Sequence, residues 1–446
     1  MNTDVRPRPA LQPPAEWTYP APREAFLSNG MRVLVHELPG QQVISATLVL
    51  DVPLTMEDRA KEGVATICAR VLDEGTRNHP GERFAEVLEL EGASFDANQA
   101  YAGLQAMIDV PATRFEPALA LLAEAVRHPE LQDSDCSRHV ALRLASLEQQ
   151  RANSAQWASW AFRAAVFDED SRVQRLPGGE PDKVTAVVPE DVRAFHRRHY
   201  GPAGATLVLA GEFPTDPLPL AEKLFGDWTN PDQEPVTHLS PRPATPSAVL
   251  LHRPGAVQAD LRLGGIGIDR HDPRWPAFQI GSYAVGGAFL SRLNKVLREE
   301  RGYTYGVGLQ AAPLRSRGSF AVAGSFRTEV LVPALEEARE LLDLSNAPLT
   351  EAEIVDATNY FSGVSTLRYA TAGGIGDQTA SIALQGLPLD FIDRYLAGIR
   401  ATTPEAATTA YQDVVDLTAL TLVVAGDADQ LAEPLAAAGY SVSRRS

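Results

Sequence analysis

Few residues in this chain have both the type and the spacing that chemistry needs. Thr66 and Arg70 stand four apart in the stretch Glu57–Thr76. Val64, Ile67, Cys68, Val71 and Leu72 recur there at helical spacing, so both side chains point to one face. Two histidines at that spacing would grip zinc. Threonine and arginine do not, because zinc takes thiolate, imidazole or carboxylate and a guanidinium adds a repelling charge. His196 and His199, three apart in the run Phe195-His196-Arg197-Arg198-His199-Tyr200, also have a spacing that a helix can fold round a metal. Their neighbours are cationic and no acid lies close in sequence, so they are expected at the C-terminal end of a helix, where positive charge is favoured. Gly178-Gly179 and Gly286-Gly287 lack the lysine and the strand-to-helix setting of a phosphate loop and read as turn and close-packing glycines. Cys68 lies on the apolar side of its helix and reads as a small core residue.

A second constellation emerges when the chain is compared with itself. Val33-Leu34-Val35-His36 before Pro39-Gly40 recurs as Val249-Leu250-Leu251-His252 before Pro254-Gly255. Pro117-Ala118-Leu119 recurs as Pro333-Ala334-Leu335, and the buried run from Thr206 to Gly211 recurs from Thr421 to Gly426. The numbers differ by 215 or 216 each time, which means two copies of one unit. Laying the helix Arg83–Glu89 over Arg292–Arg298 places Glu89 on Arg298. After one inserted residue, Gly92 meets Gly302 and Phe95 meets Tyr305. One scaffold thus accepts glutamate and phenylalanine where the other copy has arginine and tyrosine, so the scaffold alone does not demand Arg298 and Tyr305. A charged fork and a phenolic donor suit a substrate carbonyl and the oxyanion that develops on it in hydrolysis. The plainer alternative is that Arg298 pairs with Glu299 or Glu300 and Tyr305 is an ordinary strand aromatic.

The elements that must position these residues follow one order in each copy. A strand pair comes first (31–35 and 44–51; 248–251 and 260–268), then helices, then a middle strand pair near 100–110 and 305–325. More helices follow, and a buried strand ending in Ala-Gly closes each copy. This predicts an α+β fold of two homologous domains, each a mostly antiparallel sheet with helices packed on one face. The expected division is an irregular lead-in over 1–23, a first domain over 24–228, a linker over 229–246 with five prolines, and a second domain over 247–446.

Composition limits the function. A 44% hydrophobic and 22% charged chain is ordinary globular material. A net charge of −17 argues against nucleic acid as a partner and favours a basic peptide over an acidic one. With no long apolar run, no signal-peptide pattern and only two cysteines, Cys68 and Cys136, a cytoplasmic protein without membrane contact is expected.

The frame around the first constellation, Glu62-Gly63-Val64-Ala65 before it and Gly75-Thr76 after it, resembles that of the inverted zinc motif His-x-x-Glu-His in the pitrilysin and insulinase peptidases. The resemblance puts the two histidines on Thr66 and Arg70, the general-base glutamate on Ala69, and the third ligand, a glutamate in a later helix, on Ser146. All four are missing. Glu148 is two residues on, about 200° round the helix, and does not replace it. The run from Gly286 to Tyr305 resembles the second-domain signature of the mitochondrial processing peptidase branch, in which the arginine and tyrosine that contact substrate match Arg298 and Tyr305. The resemblance implies two α/β-roll domains facing each other across a chamber. It also implies a non-zinc subunit, inactive alone, beside a homologous partner that carries zinc on an intact His-x-x-Glu-His and hydrolyses peptides held in extended form. A purely structural subunit, like the degenerate core proteins of a respiratory complex, and a stand-alone peptide-binding module are the rival expectations.

Overall fold

The structure is a computed structural model and describes residues 17–445. It contains two six-stranded sheets. The first is built from β1 (Arg23–Phe26), β2 (Arg32–Glu37), β3 (Val43–Leu50), β4 (Ser94–Ala100), β5 (Gly103–Pro111) and β6 (Thr206–Gly211), in the order β1-β2-β6-β3-β5-β4. The second is built from β7 (Ala248–His252), β8 (Gln258–Gly267), β9 (Val307–Pro313), β10 (Gly318–Arg327), β11 (Thr421–Gly426) and β12 (Val442–Arg445), in the order β12-β7-β11-β8-β10-β9. Five strands match one for one, as the internal repeat predicts. Only β2 with β6, β7 with β11 and β12 with β7 are parallel. The sixth strand differs: β1 joins its edge antiparallel from the start of the chain, whereas β12 joins the matching edge parallel from its end.

Every residue of β6 and of β11 is buried, which an antiparallel sheet with one wet face does not allow. The cause is an exchange of helices. Most helices cover one face of the sheet in their own half, as expected, but Ser154–Val166 crosses to pack on β11 and β8, and its repeat counterpart Ala372–Gln385 packs on β3 and β6. One face of the second sheet therefore buries Val249, Leu251, Val423 and Ala425 against Ala158, Phe162 and Val166. Leu34, Val49 and Val208 meet Ala380 and Leu384 in the same way. Small residues let the helix come close: a Cβ on Gly376 would lie 3.2 Å from Ser45 Oγ. Each half thus completes the core of the other.

Trp17 and Tyr19, at the end of the expected lead-in, pack on this exchanged segment. Tyr19 donates to Ile375 O at 2.8 Å, and Trp17 stacks on Tyr369. Residues 1–16 of that lead-in lie outside the described residues. The proline-rich linker has no regular element and lies along the first half, where Phe167 bridges Pro243 and His238 reaches Asp51 at 3.0 Å.

Candidate functional site

The helix Val64–Arg70 starts at Gly63, whose φ of 106° suits glycine and where a Cβ would lie 2.8 Å from Gly178 O. Its first amides have no intrahelical acceptors, and the Glu57 carboxylate takes two of them, from Gly63 N at 2.8 Å and Ala65 N at 3.1 Å. Arg172 holds Glu57 at 2.7 Å, and Arg175 holds Glu62 through a two-pronged contact of 2.7 and 2.8 Å. All four side chains are buried or nearly so. Burial pushes the Glu57 carboxyl upward, while Arg172 and the two amides pull the other way. The bed of this helix is therefore rigid and charge-balanced.

What stands on it does not fit zinc. Ala69 is packed in the core at 1% exposure and offers no ligand atom. Thr66 Oγ1 lies 3.5 Å from Pro177 O. Arg70 turns to Asp96 at 3.1 Å, both about half exposed. Ser146, on the helix Asp133–Ala152, accepts from Gln150 Nε2 at 3.1 Å. Glu148 is exposed, with the buried Leu147 between it and Ser146. No hydrogen bond among the described residues joins Thr66, Arg70 and Ser146. A hydroxyl, a methyl and a cation are not a zinc donor set.

Among the described residues, the one close group of metal-ligating side chains is His252, Asp427 and Asp429, in the other half. Its atoms are already engaged: Asp427 accepts from Gly255 N and Gln430 Nε2, Asp429 pairs with Arg444, and His252 Nδ1 accepts from Ala428 N.

His196 and His199 close the helix Pro189–His199 without carrying its positive charge, which Arg197 and Arg198 supply. His196 donates through Nε2 to Val126 O at 2.8 Å, and burial lowers its pKa to about 4. His199 is buried and packs on Phe195 with ring centroids 4.5 Å apart. Both are neutral packing residues at pH 7.

The second constellation sits in an unusual backbone. The helix Trp275–Ser282 runs into a π-helical turn over Tyr283–Gly287, and a second π-helical segment spans Asn294–Glu300. The first half has an ordinary α-helix at Arg83–Glu91. The hydrogen bonds show where the extra residue went. Leu88 O accepts from Ala93 N, five residues on, whereas Leu297 O accepts from Tyr303 N, six residues on. Both helices end on a left-handed glycine, Gly92 at φ 64° and Gly302 at φ 63°. The inserted residue is thus absorbed as a π-bulge, a feature often found at functional sites.

Arg298 lies in this segment. Its Nε donates to Glu299 at 2.8 Å, its Nη2 donates to Phe289 O at 3.0 Å, and its guanidinium stacks 4.0 Å over the Phe289 ring. The pairing with Glu299 is the one weighed from the sequence. Asn294 pins the glycine-rich turn to the sheet: Oδ1 accepts from Val307 N at 3.0 Å and Nδ2 donates to Ala288 O.

Tyr305 is 95% exposed and stands ahead of β9, not in it. Thr304 Oγ1 contacts Ser325 O and accepts from Gly306 N, which delays the ladder until Val307 pairs with Gly324. Phe289 and Leu290 are also exposed, at 76% and 70%. Sequence reasoning singled out Arg298 and Tyr305 but missed Phe289, on which Arg298 stacks, and Asn294, which pins the turn before it. It also missed Arg172 and Arg175, which no spacing ties to Glu57 and Glu62.

Comparison with known proteins now bears on this geometry. Residues 32–171 match the family model described as insulinase, peptidase family M16, and residues 186–360 match that of the peptidase M16 inactive domain. The chain belongs to the insulinase-type M16 peptidase family. An uncharacterized zinc protease of Streptomyces coelicolor is 23% identical over 88% of this chain and 87% of its own length. The mitochondrial cytochrome b-c1 complex subunit 1 of Bos taurus is 23% identical over 60% of this chain and 56% of its own. In fold, the crystal structure of a peptidase M16 inactive domain from Pseudomonas fluorescens has a TM-score of 0.82 at 24% identity, covering 91% of this chain and 98% of that one. A protease from Helicobacter pylori follows at 0.81 and 16% identity, covering 92% and 100%. The M16 fold accounts for the paired sheets.

Proposed function

We propose that this chain is the zinc-free, substrate-holding subunit of a two-chain M16 peptidase, inactive alone. The observation that carries the reading is a contrast within one fold. Thr66, Ala69, Arg70 and Ser146 offer no zinc donor set on a helix whose bed is fully braced, while the other half displays Tyr305 at its surface and holds a donor-rich, mostly covered Arg298 against Phe289. The partner is a homologous chain with an intact His-x-x-Glu-His that holds the zinc. This chain contributes Arg298 and Tyr305, which hydrogen-bond an extended peptide and the oxygen on which charge develops. Arg298 keeps donors beyond those used by Glu299 and Phe289 O, since a guanidinium has five. The same reading makes the protein cytoplasmic, with no membrane or nucleic-acid partner. Its support is the two buried free thiols, Cys68 and Cys136, the net charge of −17, and the lack, among the described residues, of a helix long and apolar enough to cross a membrane.

The test is co-expression with a homologue bearing the intact motif. We expect a stable heterodimer by light scattering and peptide cleavage by the mixture only. In that heterodimer Arg298→Ala or Tyr305→Phe is expected to lower kcat/KM about a hundredfold to a thousandfold without dissociating it. Stoichiometric zinc in the lone chain together with cleavage by it would overturn the proposal. Unchanged turnover in both variants would favour a structural subunit, the reading supported by the Arg298–Glu299 pair and the bovine relative.

A further inference from the structure

A cavity of about 480 Å³ opens beside the loop that follows β8, lined among others by Arg270, Trp275, Pro276, Phe391, Arg394 and Tyr395. Its size is that of a small-molecule site, and its walls set the aromatic and proline side chains beside charged ones. The polar groups around it are already committed, with one exception. Asp272, the carboxylate in the lining, is held by Arg274 at 2.7 Å, and Arg394 is held by Asp390 at 2.7 Å. His271 Nε2 lies 3.1 Å from Gln385 O. Arg270 is partly buried and has neither a hydrogen bond nor an ion pair among the described residues. The groups whose fields reach it are the phenols of Tyr369 and Tyr395 and a second cation, Arg368.

This departs from how the chain treats its other sequestered arginines. Arg172 and Arg175 grip carboxylates, Arg143 donates to Gly178 O, and Arg262 donates to Leu261 O and Ala155 O. A guanidinium withdrawn from water without an anion is costly, and it cannot relieve the cost by losing its proton. Burial does push the Arg270 pKa downward, with no carboxylate opposing it.

We propose that this cavity binds a small organic oxyanion, a carboxylate or a phosphate monoester, gripped by the Arg270 fork with its apolar body against Trp275, Phe391 and Tyr395. The fork matches the two oxygens of either group, and the rings accept a flat hydrocarbon body. Arg368 adds a cationic field to the same corner, in a protein that is otherwise strongly acidic. Neither Arg298, Tyr305 nor the Thr66 helix lines the cavity, and the site does not depend on the peptidase reading.

Calorimetric titration of the full chain at constant low chloride, with benzoate, phenyl phosphate, inorganic phosphate and the neutral benzyl alcohol, tests it. We expect saturable one-to-one binding of benzoate or phenyl phosphate and none of benzyl alcohol. Which of the two binds more tightly separates the carboxylate from the phosphate source, and binding of inorganic phosphate alone would remove the apolar half of the proposal. Arg270→Met is expected to weaken binding by at least about tenfold, with Arg270→Lys between, because lysine keeps the charge and loses the fork. Without ligand, Arg270→Met should melt no lower than the natural chain, since it removes an uncompensated charge. A lower melting temperature there, or oxyanion binding unchanged by Arg270→Lys, would overturn the proposal, as would no saturable binding by any oxyanion.

Discussion

The two halves of this molecule share a scaffold and bury different things in it. The first half keeps a four-charge network, Glu57, Arg172, Glu62 and Arg175, sealed beneath a helix that bears no ligand. The second half has no comparable sealed network among its described residues. Its nearest counterpart, the Arg292–Glu353 pair, stays partly exposed at 19% and 26%. It has instead two π-helical turns and presents Phe289, Leu290 and Tyr305 to solvent. Sealed charge and surface display have thus been divided between copies of one unit.

The largest effect that separates the halves is expected from their charges. Arg172→Met leaves Glu57 without its cation in a dry interior while Arg175 still holds Glu62, and losing one partner of a buried pair typically costs about 3–5 kcal/mol. Arg292→Met in the second half exposes Glu353 to water and should cost well under that. Thermal unfolding of the two variants checks the ranking. Equal losses would mean that the buried network is no more than another surface pair.

Protonation gives the next contrast. His36 and His252 are repeat equivalents, but the exchanged helix seals only His36, which bonds Thr379 Oγ1 at 2.8 Å and is 1% exposed. Burial lowers its pKa to about 4, as it does for His196. Between about pH 4 and the unfolded value near 6.5, the unfolded chain binds protons that the native chain refuses. Stability should therefore be full above pH 6.5 and fall as the pH drops toward 4, by up to about 3 kcal/mol per histidine. His36→Gln should flatten that slope relative to the natural chain in urea midpoints taken from pH 7 to 4. Identical slopes would show that the exchanged helix does not seal His36 in solution.

Much of this was legible in the chain and some was not. The constant offset between Val33 and Val249, and between Thr206 and Thr421, carried the two-domain α+β fold, because a repeat leaves its spacing in the letters. The exchanged helices were invisible: the apolar runs of β6 and β11 say that both faces are covered, but not by which half. The slip of one residue between Arg83–Gly92 and Arg292–Gly302 was readable, whereas its form, a π-turn, depends on hydrogen bonds that letters do not record. Arg298 and Tyr305 stood out because the other copy lacks them. Arg172 stayed hidden because its partner, Glu57, is 115 residues away.

That slip yields the third prediction. Removing the exposed Lys295 should convert Asn294–Glu300 to the α-register of its counterpart, keeping Asn294 and Leu297 on the core side of the turn. On the proposed function, the deletion costs the heterodimer about a hundredfold in peptide turnover, as losing Arg298 does, while the melting temperature of the lone chain moves little. Full turnover would mean that the π-turn is a tolerated irregularity.

The smallest effect is expected at the seat itself, which is why it is the most discriminating. Arg70 and Asp96 are each about half exposed, and one nitrogen reaches one oxygen at 3.1 Å, so the pair contributes less than about 1 kcal/mol. Arg70→Ala should hardly change the melting temperature, and Thr66→Ala, whose hydroxyl has only a 3.5 Å contact to Pro177 O, less still. Positions that matter this little to folding, on a bed that matters a great deal, mark an idle helix face on a rigid support. If Arg70→Ala instead costs several kcal/mol, the arginine has become part of the frame. Seat and brace would then be a single structural unit, and the contrast between an idle helix face and its rigid support would fail.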